Sequence, residues 1–291
     1  MTATRGLLAS ERRRHLRRTF DEHPEREWGR YAGDPRRLLA RVLRERFLRL
    51  HLHGTRDVTF EVGAGPGRFT PEILAATRGA VVAVDLSRGV LLQARRRGRR
   101  SGGAHRTDWL QAAAERLPFE EGSAGAVVLL GNIVCMAARD GAKLLREVRR
   151  VLRPGGVLVA DFASPAGSTA EFLDVMVRRR RLKPILRRPR YYLLDQILTS
   201  GFQPYRPARM ARWEFQFYTA DEARALLARA GFRVRDLEAI APIGWSHDRV
   251  AASARRDPTT WRHLLELEER LGRRTGCLEM GHGFVVAAER T

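Results

Sequence analysis

Glu61-Val-Gly-Ala-Gly-Pro-Gly67 follows directly on Val58-Thr-Phe60, and that junction decides the fold. Val58 to Val62 is a short, β-branched run suited to a buried strand. The glycines at alternate positions then let the backbone turn sharply and come close to a ligand. A nicotinamide fingerprint wants G-x-G-x-x-G, but the place of its third glycine holds Arg68, while Gly67 makes the pattern G-x-G-x-G. Dinucleotide binding is therefore disfavoured.

Working outward, Ala80-Val-Val-Ala-Val84 repeats the strand signal after a helix-sized interval, and Ala126-Val-Val-Leu-Leu130 and Gly156 to Asp161 repeat it again. Between those last two, Asp140 to Leu152 sets Leu144, Leu145, Val148 and Leu152 on one helical face, and Arg153-Pro-Gly-Gly156 is a turn. Strands alternating with helices predict an α/β fold, a Rossmann-like, doubly wound, mostly parallel sheet with flanking helices. Asp85 ends the second strand about twenty positions past Gly63, where an acid can accept both hydroxyls of a ribose, whereas Ser87 is the better helix cap.

Upstream, Asp34-Pro35 is a helix start, N-cap then N1, for a helix with Leu39, Leu43, Phe47 and Leu50 on one buried face. Downstream, Thr219-Ala-Asp-Glu222 is a capping box for a helix that carries Leu226 and Leu227 and stops at Gly231. A strand from Phe232 to Ile240, a helix opened by Asp257-Pro258 and a last buried strand from Gly283 to Ala288 follow. Residues 163–212 break the rhythm with Pro165, Pro184, Pro189, Pro204 and Pro207, and read as an insertion. The expected organisation is an N-terminal helical arm or lid over 1–55, a cofactor-binding core over 56–162, an inserted cap over 163–216 and the C-terminal part of the core sheet over 217–291.

The chain has 291 residues and a net charge of +21, a field that attracts nucleic acid, anionic membrane or acidic ligands. Its basic residues are nearly all Arg, with Lys143 and Lys183 the only lysines, and they are spread along the chain without an RNA-reading aromatic motif. The pattern fits compositional bias better than phosphate contacts, so nucleic acid is not the favoured partner. Met1 to Arg18 lacks the apolar core of a secretory signal, and no later segment reaches about 18 uninterrupted apolar residues, so a cytoplasmic protein without membrane contact is expected. Cys135 and Cys277 stand far apart, which supports neither a disulfide framework nor a metal site and makes both small core residues.

Four segments, Glu61-Val-Gly-Ala-Gly-Pro-Gly67, Val81-Val-Ala-Val-Asp-Leu-Ser87, Glu115-Arg-Leu-Pro-Phe119 and Leu152-Arg-Pro-Gly-Gly156, stand in the order and spacing of class I S-adenosylmethionine-dependent methyltransferases, which the chain resembles from about residue 56 to 162. That resemblance implies S-adenosylmethionine as cofactor and S-adenosylhomocysteine as product. It implies that Gly63, Gly65 and Gly67 wrap the methionine part, that Glu61 beneath them helps orient its amino group, that Asp85 holds the ribose and that Leu86 packs on adenine. Two positions depart from the family. Ala113 stands where many relatives have an Asp that receives the adenine amino group, which leaves adenine to the backbone of Ala114 or to Glu115 at a cost of about 1 kcal/mol for one lost hydrogen bond. Gly125 stands where relatives often have an Asp before the next strand. Asn132, at the end of that strand, is a candidate for the methionine end or the acceptor. Its context, Asn132-Ile-Val-Cys135, lacks the Pro and stacking ring of base N-methylating enzymes.

Methyl transfer from a sulfonium is an in-line displacement with an activated donor, so alignment and water exclusion come first and a base is optional. His247 and His282 are the candidate catalytic bases. Trp28, Tyr31, Tyr191, Tyr192, Trp213 and Trp245, with Phe215, are the candidate acceptor-site rings and suit a flat or lipophilic molecule. The expected function is methylation of an O, N or C atom of a small molecule, by a monomer or homodimer. The alternatives are an RNA methyltransferase, supported by charge, and a cofactor-binding protein without methyl transfer.

Overall fold

The computed structural model describes residues 8–29, 33–100, 104–180, 192–204 and 213–291. Seven strands, β1 (Thr59–Val62), β2 (Val81–Asp85), β3 (Thr107–Gln111), β4 (Ala124–Leu129), β5 (Leu152–Phe162), β8 (Phe232–Ala239) and β9 (Phe284–Arg290), make one sheet in the order β3-β2-β1-β4-β5-β9-β8. β6 (Phe202–Gln203) and β7 (Phe215–Gln216) form a separate antiparallel pair. All pairings from β3 through β5 are parallel, and β9 runs antiparallel between β5 and β8. The expected doubly wound, mostly parallel sheet is what forms.

β4 is buried along its whole length, as a central strand covered on both faces must be. Its side chains alternate: Val127 and Leu129 join the cluster on one face with Leu144, Leu145 and Val148, while Ala126 and Val128 join the other with Leu39, Leu43 and Phe47. Chain order reverses between β1 and β4, so the loops after their carboxyl ends diverge and leave a crevice there.

The described part of residues 1–55 divides into two roles. Helices α1 (Ala9–Glu22) and α2 (Pro24–Gly29) lie against α5 (Arg88–Arg100), whereas α3 (Pro35–Leu52) is a core helix that packs on α4 (Thr70–Ala76) and the sheet. Asp34 caps α3 as expected, accepting from the Arg36 amide, but the buried face is Leu39, Ala40, Leu43, Arg44, Phe47, Leu48 and Leu52. Leu50 is 60 % exposed, because the helix turns it away from the sheet. A boundary at residue 55 therefore cuts through a packed layer.

Past the short helix α6 (Ile133–Met136) and the long α7 (Gly141–Val151), the 163–216 insertion holds α8 (Pro165–Arg178), α9 (Tyr192–Ser200) and the β6–β7 pair. The reciprocal bonds between Thr219 and Glu222 open α10 (Ala220–Arg229). The short α11 (Asp248–Ala254) precedes α12 (Pro258–Gly272), which starts at Asp257 as its N-cap. Cys135 is buried, but Cys277 is only partly so, since it sits in a single 3-10 turn outside the sheet. At Gly125 a Cβ would come within 2.5 Å of the Asp57 side chain, which explains why no Asp stands there: Asp57, paired with Arg153 at 2.8 Å, already holds a carboxylate in that space.

One buried ion pair ties α3 to the sheet. Asp161 on β5 is fully buried and accepts from Arg44 Nε at 2.8 Å through one oxygen and from the Asn132 amide at 2.7 Å through the other. Removing one partner strands the other charge in an apolar interior. Asp161→Ala is expected to lower stability by about 3–5 kcal/mol, read as a fall in the urea midpoint with an unchanged slope.

Candidate functional site

The crevice at the reversal point opens into a cavity whose floor comes from the carboxyl ends of the strands. Gly63, Ala64 and Gly65 follow β1, Asp85 and Leu86 end β2, Ala112, Ala113 and Ala114 follow β3, and Gly131 follows β4. Among the nine positions expected to contact a cofactor, Gly63, Gly65, Asp85, Leu86, Ala114 and Glu115 line this cavity. Glu61, Gly67 and Asn132 do not.

The glycines of the loop serve different ends. A Cβ at Gly63 would strike the Ile133 side chain at 2.2 Å, and one at Gly67 would press on Ala94 of α5 at 3.1 Å, so Gly67 permits close helix packing. A Cβ at Gly65 would meet nothing within 4 Å, and its φ of +54° is one that side-chain-bearing residues rarely adopt. Gly65 thus keeps the space beside its own backbone open to a ligand.

Asp85 holds this loop in place. Its Oδ2 accepts from the Gly65 amide at 2.8 Å, and its Oδ1 from the Ser87 amide at 2.8 Å. Ser87 Oγ accepts from the Val90 amide, so Ser87 caps α5 as expected. Burial pushes the Asp85 carboxyl up to about 6, against the pull of those backbone donors. Beneath the loop Glu61 is buried, accepts from Thr70 Oγ1 at 2.5 Å, and is pushed up to about 8 by burial. Asn132 adopts a left-handed φ of 63°, with its amide on Asp161, and shapes the lip after β4 without entering the cavity.

The roof was the least legible part. Arg12, Arg13, Leu16 and Phe20 of α1, Glu27 of α2 and Arg68 line the cavity from above. Asp21 pins the roof down, accepting from Ser87 Oγ at 2.6 Å and the Gly89 amide at 2.8 Å, while Arg68 donates to the carbonyls of Glu27 and Trp28. Arg12 is buried among three acids, Asp140, Glu214 at 3.7 Å and Glu115 at 4.0 Å. Ile133, Met136 and Ala137 add an apolar wall. The spacing Arg12, Leu16, Phe20 was the available signal, one stripe at helical intervals in a stretch otherwise dominated by charge.

Neither histidine reaches the cavity. His247 is exposed at the start of α11, and His282 lies behind β5, with Nδ1 2.9 Å from Arg44 and its ring edge-on to Trp245 at 4.2 Å. Trp245 is buried in the layer on the other face, beneath the guanidinium groups of Arg36 and Arg37. Trp28 is 41 % exposed and stacks under Arg97 outside the cavity, and Trp213 packs behind Phe20 at 6.2 Å. Phe215 packs on Phe217. Tyr31 and Tyr191 lie outside the described residues, as does the side chain of Tyr192. No described residue of the 163–216 insertion lines the cavity; the cover is the N-terminal helix pair.

Comparisons with known proteins agree with this geometry. A methyltransferase-domain family matches residues 60–156, the stretch from β1 to the start of β5. An uncharacterized protein of Mycobacterium tuberculosis is 33% identical over 174 residues, covering 60% of this chain and 46% of that protein. A demethylmenaquinone methyltransferase of Clavibacter sepedonicus is 37% identical over 109 residues, covering 36% of this chain and 41% of the enzyme. The chain thus spans less than half the length of these relatives. Among solved structures, the 1,6-didemethyltoxoflavin-N1-methyltransferase of Burkholderia thailandensis superposes with a TM-score of 0.61 at 16% identity, covering 100% of this chain and 93% of that one. The [4+2]-cyclase SpnF superposes at 0.60 and 14%, covering 98% and 97%. The match and the fold together show a methyltransferase domain over residues 60–156, set in the Rossmann-like sheet that these solved structures share.

The two raised carboxyls set a pH dependence. A group whose pKa is higher in the folded than in the unfolded chain favours folding while it is protonated, and that contribution is lost as pH rises through the folded value. For Glu61 the window runs from its ordinary 4.5 to about 8. The ligand-free protein is expected to lose stability as pH climbs through that window, and Glu61→Gln, which keeps shape without charge, is expected to flatten the trend in denaturant titrations at either end.

Proposed function

We propose that the protein is a small-molecule methyltransferase that uses S-adenosylmethionine and releases S-adenosylhomocysteine. The observation that carries this is one continuous cavity with two differently built halves. One half is made of backbone and a single acid, Gly63 to Gly65 with Asp85; the other is made of side chains, Leu16, Phe20, Ile133 and Met136.

The first half fits the cofactor. The open space at Gly65 takes the methionine part against bare backbone, and Asp85, already fixed by two amides, retains lone pairs for ribose hydroxyls. Leu86 and the small side chains of Ala112 to Ala114 offer a shallow apolar slot for adenine. With Arg12 at 4.0 Å from its carboxylate, Glu115 is drawn toward the roof, so the Ala114 backbone is left to meet the adenine amino group. Glu61 acts from beneath, fixing the loop through Thr70.

The cofactor supplies a methyl group already activated on a sulfonium, and the chain supplies alignment and a dry site. The roof helices exclude water, while the apolar half positions an acceptor atom beyond Gly131. Neither His247 nor His282 serves as base, since both lie off the cavity. Similar proteins methylate small molecules by name, a demethylmenaquinone and 1,6-didemethyltoxoflavin, which supports the acceptor class. The cyclase among the fold neighbours shows that this architecture alone does not settle the reaction. No helix among the described residues is long and apolar enough to cross a membrane.

Isothermal titration with S-adenosylhomocysteine tests the pocket. Wild type is expected to bind, Asp85→Ala to lose about tenfold or more through the ribose contacts, and Gly65→Val to abolish binding while circular dichroism stays native. Unchanged affinity in both variants would place the cofactor elsewhere. Methyl-labelled cofactor incubated with fractionated host lysate is expected to label small molecules and leave RNA unlabelled.

A further inference from the structure

Three guanidinium groups line the cavity, and they are not equivalent. Arg12 is surrounded by Asp140, Glu214 and Glu115. Arg68 donates to the carbonyls of Glu27 and Trp28 and covers the Trp28 ring at 5.2 Å. Arg13, half-buried on the same wall, has no hydrogen bond, ion pair or ring contact among the described residues. With no acid of the described protein against it, the Arg13 guanidinium on this ligand-facing wall is free to meet a partner that arrives from outside.

The geometry of α1 says where that partner lies. Arg13, Leu16 and Phe20 fall on one helical face, at i, i+3 and i+7, so a guanidinium stands at one end of an apolar stripe. Ile133 and Met136 face the same space from α6. A molecule with an apolar body and an anionic end satisfies both features together, its body against Leu16, Phe20 and Met136 and its charge on Arg13.

We infer that Arg13 determines acceptor specificity, and that the acceptor is a lipophilic anion bearing a carboxylate, sulfonate or phosphate group. This deepens the methyltransferase proposal and rests on it. A planar guanidinium suits such oxyanions because its N–H groups match two oxygens at once.

The test uses the full-length protein with and without saturating S-adenosylhomocysteine and two fluorescent probes of similar shape, anilinonaphthalene sulfonate, an anion, and N-phenylnaphthylamine, which is uncharged. Wild type is expected to prefer the sulfonate, and Arg13→Gln to weaken it by about tenfold to a hundredfold while leaving the neutral probe and S-adenosylhomocysteine unchanged. Arg13→Lys is expected to restore part of the preference. Sulfonate affinity equal in wild type and Arg13→Gln would overturn the inference. So would a fall in S-adenosylhomocysteine affinity on Arg13→Gln with the sulfonate unaffected, because Arg13 would then serve the cofactor carboxylate. Failure of the wild type to bind S-adenosylhomocysteine would strike the methyltransferase proposal instead, and the ligand-free titrations would still decide the role of Arg13.

Discussion

Asp85 is the point through which the site is assembled. Its two oxygens hold the turn after β1 and the start of α5 at once, so one side chain ties the glycine loop, the second strand and the helix behind it together. The cost is desolvation of a carboxyl, with the acid Asp21 nearby, visible as its upward displacement to about 6. Backbone amides offset that cost in part, and they do so without closing the cavity, because donors from a main chain occupy no side-chain volume. A second acid, Glu61, does the same one layer down through Thr70. The loop at 63–67 is thus rigid from below and open from above.

The same logic of internal compensation organises the basic residues. The chain carries 54 Lys and Arg against 33 Asp and Glu, a net charge of +21, so not every cation can have an acid of its own. The buried guanidinium groups nonetheless have theirs: Arg44 meets Asp161, Arg12 meets three acids, and Arg36 bonds to Asp34 and Asp174. Apart from the local contact of Arg36 with Asp34, these pairs join elements distant in sequence, α3 to β5, α1 to the loop before α7, α3 to α8. The surplus of positive charge thus lies outside these buried pairs, which makes net charge a poor guide to ligand.

The roof shows how a cover can be built without a separate domain. α1 and α2 bury few side chains of their own, with only Arg12 and Leu16 buried in α1 and none in α2. They are held instead by polar anchors, Asp21 on the first turn of α5 and Glu25 on Gln93 and Arg97. Few buried side chains and exposed polar contacts mark the low-stability end of a fold, which suits a cover over a ligand cavity.

The sequence by itself determined the sheet, several helix starts and the glycine loop with Asp85 that forms the half of the cavity we propose for the cofactor. Strand periodicity, caps such as Asp34, Thr219 and Asp257, and the run from Glu61 to Gly67 are local signals, each readable within a few residues. What only the tertiary structure decided was the other half, built of side chains. Arg13, Leu16 and Phe20 come from a charged arm and Met136 from a four-residue helix, while Trp245 and His282, plausible by residue type, turned out to pack on the far side of the sheet. The physical reason is range: backbone conformation follows from neighbours in sequence, whereas a binding wall is formed by elements more than a hundred positions apart that meet only after the core has closed.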